Sequence, residues 1–397
     1  YVSWAVANWR VALLAVAGFT FLGLQGLWQE SMDTLSLTLS AVLVALLFAI
    51  PLGVWAGLSE RVNRIVTPFL DFMQTMPTMV YLAPLTLFFL IGGASATIAT
   101  VIYAAPPALR ITAHAIRSVP PTTVEAAESM GATRRQSLLK VLVPMSKRTV
   151  VMGVNQTIMA ALAMVTIAAL IDAPGLGKTV VQALQSLDVG TAFNAGLAIV
   201  VMAIVLDRVT TAASGRAEAA RRSGSPLLRW RRHLLVAGGA VAAVLVYLSH
   251  TYVWAAEFPG DGSVGSHIAK AADDVTTWAQ DNLSGLTNGF RDAITNGLLN
   301  PFQTLLTDSP WWLVGAVLVG IAVVLGGWRA GITTAVCVGL LVATGLWSDA
   351  MTTVASTVVA TVLVMLLGVV FGVWMGRSAL VDRLVRPTLD AAQVMPP

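Results

Sequence analysis

A chain of 397 residues has the length of two or three soluble domains, but its composition excludes them. Hydrophobic residues make up 56% of it and charged residues only 11%, where a soluble domain carries roughly 25% charged. Mean hydropathy is +0.78, and long uncharged runs recur, so this is an integral membrane protein. A net charge of +4 is small for the length and is no signal for nucleic acid. The single cysteine, Cys337, lies in an apolar run, which rules out a disulfide framework and a cysteine metal site. The first residue is Tyr1 in a Trp-rich apolar stretch, and the expectation is that the natural start precedes it.

A spanning helix needs about 20 mostly apolar residues. That criterion predicts spans near 11–28, 33–57, 78–92, 96–113, 150–171, 191–208, 234–254, 311–327, 330–347 and 350–376. The expected fold is therefore all-α and polytopic, with about ten transmembrane helices. Pro77 and Pro84 blur the limits of the third span. The loops on one side, from Arg10 to Arg386, hold 21 of the 24 basic residues; the other side holds only Lys178, Lys270 and Arg291. The first side is cytoplasmic. A basic linker at 209–233, with Arg221, Arg222, Arg229, Arg231 and Arg232, reads as a solvated tether near anionic headgroups. Residues 255–310 lie outside and are acidic. Within them Leu286, Phe290, Ile294 and Leu298 recur every four residues, the spacing of an amphipathic helix resting on a membrane.

Displacing the chain by 319 residues against itself gives a gapless internal match. Trp9-Arg10 falls on Trp328-Arg329, Gly53-Val54-Trp55 on Gly372-Val373-Trp374, and Met76-Pro77 on Met395-Pro396. Between 27–77 and 346–396, 21 of 51 positions are identical. An even number of crossings separates the copies, so they run the same way, unlike inverted-repeat carriers. The expected organisation is a first permease unit at 1–212, a connector at 213–310 and the front of a second unit at 311–397. The second copy carries no counterpart of the loop described next, and the natural chain is expected to continue into one.

That loop runs from Pro120 to Pro144. Thr122 with Glu125, and Thr133 with Gln136, have capping-box spacing, and Gly131 between them is placed to end a helix. Two short cytoplasmic helices joined at Gly131 follow. Glu125-Ala126-Ala127, Gly131 four residues later, and Leu142-Val143-Pro144 resemble the EAA loop of ABC-importer permeases. The resemblance implies a type I permease fold and a coupling helix that docks on an ATPase subunit. Glu125, Ala126, Ala127, Ser129, Met130, Gly131, Ala132, Arg134 and Arg135 would form its surface. Further stretches are similar to the glycine betaine/proline-type permeases: Gln74-Thr75-Met76-Pro77 with Tyr81, Asn155-Gln156-Thr157, Gly175-Leu176-Gly177 and Leu206-Asp207-Arg208. Two departures stand out, namely Asp172 where that family usually has glycine, and two units in one chain.

Gly175-Leu176-Gly177-Lys178-Thr179 resembles part of a phosphate loop, but Asp172 replaces the first glycine that motif requires, and the segment lies outside. Asn155, Gln156 and Thr166 lie within a span, where polar groups bridge helices or line a path. Met76, Pro77, Tyr81, Asn155, Gln156 and Met159 are the candidate path. The four histidines show no metal-ligand spacing, and no catalytic constellation assembles. Span middles lack acids, so ion coupling is disfavoured; a channel would not require the EAA-like loop. The resemblance implies an inner-membrane permease for glycine betaine, proline, choline or a similar quaternary amine, the alternatives being an amino-acid permease, a channel or a secondary carrier. It binds no cofactor itself. The same resemblance implies that ATP and Mg²⁺ belong to a dimer of ATPase subunits and that an extracytoplasmic binding protein delivers cargo; membrane lipid is a further expected partner, and a second permease chain is an open alternative.

Overall fold

The computed structural model describes residues 9–222, 237–241, 244–245, 247–249, 251–252, 258 and 263–394. The second half of the basic linker, 223–233, falls outside them, as do nine of the 21 positions of the predicted span at 234–254. The chain divides into two compact units, one within 1–274 and one within 275–389. Every described element is a helix.

In the first unit α1 (Trp9–Leu24) and α2 (Trp28–Leu58) are separated by a turn at Gly26, whose φ of 75° suits glycine. α3 (Glu60–Thr75) starts at Ser59, whose hydroxyl accepts from the Val62 N–H. No span was expected there, because polar and apolar residues interleave around Arg61 and Arg64. α4 (Thr78–Phe89) and α5 (Gly93–Arg117) follow. The cytoplasmic α6 (Pro121–Ser129) and α7 (Arg134–Ser137) lead through a π turn at Leu138–Leu142 into α8 (Val143–Ala169). α9 (Leu176–Gln185) lies between α8 and α10 (Val189–Arg222). Asp188 caps α10 by accepting from the Thr191 N–H at 2.9 Å, and the Thr191 backbone and side-chain bonds hold its carboxyl below the usual range.

Lipid tails are as apolar as leucine, so these helices associate through close packing rather than through a hydrophobic drive. α2 packs on α5, and α5 on α8. The facing stripes are small: Thr34, Thr38, Ala41, Ala45, Ala49 and Gly53 on α2 meet Ala96, Thr100, Ala104, Ala108 and Thr112 on α5, all buried. A Cβ on Gly53 would lie 2.8 Å from the Leu109 carbonyl oxygen and from Thr112 Cβ. One on Gly57 would lie 2.7 Å from Ile116 Cβ. α10 closes the bundle against α8, α9 and α1 with buried Ala195, Ile199, Met202 and Ala203. α5 carries so many Ala, Thr and Ser residues because its neighbours approach its backbone, which also explains its modest hydropathy.

In the second unit α11 (Ser263–Ile294) begins before the unit boundary and continues through a π turn at Thr295–Leu299 into α12 (Asn300–Thr307). α13 (Trp311–Ala343) covers two predicted spans with a non-helical Gly327 between them. α14 (Trp347–Arg377) and α15 (Ala379–Val394) complete it. The 319-residue offset recurs in the element bounds. α2 and α14 both contain 31 residues, and α3 and α15 both contain 16. Gly26 and Gly345 turn with φ of 75° and 73°. Ser59 and Ser378 cap equivalent helices. Arg10 sits 5.7 Å over Trp9, and Arg329 5.5 Å over Trp328.

Both π turns have one cause. Each ends two residues before a proline, Pro144 or Pro301. Proline has no N–H to give the carbonyl four residues back. The chain widens instead of breaking: the Val143 N–H bonds the Leu138 carbonyl, and the Asn300 N–H bonds that of Thr295.

Candidate coupling site and transport path

The cytoplasmic segment is a helix, a glycine turn and a second helix. α6 starts with Pro120 as its N-cap and Pro121 at its first position, with no side-chain cap. The expected Thr122–Glu125 capping box does not form. Fixed proline φ angles start the helix ahead of Thr122, which leaves that residue inside the first turn. At the other end the expectation holds. The Met130 N–H bonds the Ala126 carbonyl, the Ala132 N–H bonds that of Ala127, and Gly131 turns with φ of 80°. Thr133 and Gln136 form the reciprocal box at 2.9 and 3.3 Å. The second short helix does not stand alone, because the π turn runs it directly into α8.

Ala127 faces inward and is buried, fixing α6 to its support. Glu125, Ala126, Ser129, Met130, Gly131, Arg134 and Arg135 are exposed, and Ala132 is half-buried. Met130 is 83% exposed, and a Cβ on Gly131 would meet nothing within 4 Å. An open knob therefore carries one large apolar side chain between a carboxylate and two guanidinium groups. Beneath it α3 and α5 are tied by Arg110 to Asp71 at 2.5 Å and by Arg117 to Asn63 at 2.7 Å. These ties join residues far apart in sequence, and no local pattern marks them.

The six candidate path residues separate into four places. Met76 and Pro77 are extended between α3 and α4, and buried Tyr81 packs there with Leu82, Ala99 and Met164. Tyr103 joins that cluster, so two of the five tyrosines converge at the helix break. The Tyr81 hydroxyl has no hydrogen-bond partner among the described residues. Asn155 instead ties α8 to α10, its amide donating to Asp207 at 3.2 Å and Thr211 at 2.7 Å. Met159 packs against the cluster built around Leu162 and Ile199. Gln156 is exposed. Asn155→Ala is expected to lower thermal stability by about 1 kcal/mol, the usual size of a hydrogen bond between spans, as read from melting of the purified protein.

The loop after α8 explains both its glycines and its acid. Asp172 has φ of 56°, a conformation natural to glycine and tolerated by aspartate. Its carboxylate pairs with Lys178 at 2.6 Å. Gly175, with φ of 117°, presses on Thr34, and Gly177 on the Val165 backbone. Here the glycines serve helix packing, and Lys178 is engaged by a carboxylate rather than free for phosphate.

Together the helical bundle, the break at Met76-Pro77 and the exposed cytoplasmic knob define a polytopic membrane permease. Residues 49–219 match the family of the binding-protein-dependent transport system inner membrane component. The chain belongs to that family and is a multi-pass inner-membrane transport protein. It is similar to the glycine betaine transport system permease protein OpuAB of Bacillus subtilis, 44% identical over 208 residues, which covers 52% of this chain and 74% of that one. It is also similar to the glycine betaine/proline betaine permease protein ProW of Escherichia coli, 40% identical over 211 residues, covering 53% and 60%. The trimethylamine N-oxide permease protein TmoV of Ruegeria pomeroyi is 30% identical over 406 residues, covering all of this chain, which spans 60% of that relative.

Proposed function

We propose that this chain is the permease of an ATP-driven importer for a small compatible solute with a quaternary ammonium or related group, such as glycine betaine, proline betaine or choline. The open knob at Glu125–Arg135 carries the reading, because such a surface suits docking of a second protein on the cytoplasmic side. The names of the relatives above support the cargo class. ATP and Mg²⁺ are bound by a dimer of ATPase subunits, whose cycle shifts the permease between inward- and outward-facing states. An extracytoplasmic binding protein supplies the cargo and sets its selection. A trimethylammonium group is best held by several aromatic faces, each worth up to about 2 kcal/mol when desolvated, and the Tyr81–Tyr103 pair offers fewer than a dense cage. Residues 1–212 act as one permease unit and 311–397 as the front of another, joined by the connector at 213–310.

The path passes the Met76-Pro77 break beside Tyr81, where non-helical backbone is tolerated if it lines a cavity. Uptake into proteoliposomes holding the permease, its ATPase and its binding protein tests the reading. Transport of labelled glycine betaine is expected to need enclosed ATP and to be competed by choline or proline betaine. Uptake driven by an ion gradient without ATP would show a secondary carrier instead. In the same assay Tyr81→Ala and Asn155→Ala are expected to slow transport and leave the ranking of competitors unchanged. A reordered ranking would place selection in the membrane.

A further inference from the structure

The long helical arm before α13 has an apolar stripe that no described element covers. Val275, Trp278, Leu286 and Phe290 are 65%, 58%, 72% and 68% exposed. At about 100° per residue Val275, Leu286 and Phe290 fall within one narrow arc of α11, with Trp278 at its edge. Arg291 lies on the far side and Asp281 and Asp292 flank the Trp278 edge, and Arg291 is already paired to Asp292 at 3.0 Å.

Depth follows from the unit's own spans. Arg377 ends α14 on the cytoplasmic side, so Trp347 starts it on the outer side. α12 packs against α14 near that outer end, with Gln303 Nε2 donating to Thr352 Oγ1 at 3.3 Å. The arm then enters the membrane at Trp311 and Trp312, both exposed, as tryptophans at a membrane–water boundary are. α12 and the π turn before it are thus held at the level of the outer span ends, and the front of α11 is held beside the outer start of α10, where the Gly190 N–H donates to Asp273 Oδ1 at 2.7 Å. An apolar stripe at that level meets lipid at the headgroup–acyl boundary.

We propose that residues 275–298 form a lipid-docking surface seated on the outer leaflet, and that its partner is a zwitterionic phospholipid surface. Most interfacial helices add a basic polar face that attracts anionic lipid. This one carries Asp281 and Asp292 with a single, already paired arginine, so its seat depends on apolar contact and not on lipid charge. The proposal is independent of which solute the permease carries.

The test is nitroxide labelling of the full chain with Cys337→Ala, in phosphatidylcholine vesicles. A label at Phe290→Cys is expected to be relaxed several-fold more by oxygen than by a water-soluble nickel chelate, with the reverse order at Asn288→Cys on the opposite face. Addition of phosphatidylglycerol is expected to leave both unchanged. Equal, high nickel access at the two positions would place the stripe in water. Shielding of Phe290→Cys from both reagents would mean a protein covers it. A seat that forms only with phosphatidylglycerol would mean that charge holds it. Each of those three results overturns the proposal.

Discussion

Gly131→Leu is expected to leave membrane insertion normal while abolishing transport and weakening capture of the ATPase subunit. The substitution acts in two ways, which a second variant separates. With φ of 80° the position is left-handed, where a residue with a Cβ loses about 1–2 kcal/mol and asparagine suffers least. Among the described residues nothing lies within 4 Å of a Cβ there, so bulk at Gly131 is expected to meet an external partner. Gly131→Asn keeps the turn and still adds a side chain to the open face. Loss of ATPase capture in Gly131→Asn, with an unchanged melting temperature, identifies obstruction of docking rather than collapse of the turn. Full transport by both variants would remove this surface from coupling.

Gly53→Leu and Gly372→Leu occupy equivalent positions and are expected to behave oppositely in the 397-residue chain. At Gly53 the new side chain drives into the Leu109 carbonyl and Thr112. Overpacking typically costs about 1–3 kcal/mol, and contact with backbone that cannot rotate away puts this site at the upper end. At Gly372 nothing among the described residues lies within 4 Å, and leucine there is expected to be nearly neutral. Thermal melts of the two detergent-solubilised variants check the contrast. A comparable loss at both would show that the α14 groove is filled in solution.

Much of this architecture was legible because apolar run length and loop charge obey simple limits. The bounds of α2 and α14 follow from composition, and the Gly131 turn and the Thr133 cap follow from residues three or four apart. Misreadings arose where proline acts in more than one way. Pro121 was compatible with a helix starting at either Pro121 or Thr122, and only the backbone decides. Pro144 and Pro301 each remove a helix donor, which a π turn absorbs, and no pattern in the sequence marks that turn. Within the candidate path, Tyr81 and Met76 are close in sequence and meet, but Tyr103 reaches them only through the packing of α4 on α5. Asn155 likewise has partners 52 and 56 residues away. Its polarity in a span was visible and favoured a bridge between helices, but its partners Asp207 and Thr211 were not legible.

Since the two copies begin and end their helices on equivalent residues, recombination between them leaves no scar in the helix it joins. A crossover at the codons for Gly53 and Gly372 excises 319 residues and joins Trp28–Gly53 to Val373–Arg377. The hybrid helix keeps the length of both parents, the serine cap now supplied by Ser378. Its product still inserts into a membrane, yet it lacks the whole segment at 120–144. It also loses α5, α8 and α10, so the small-residue face of α2 is left without the helices it packs on.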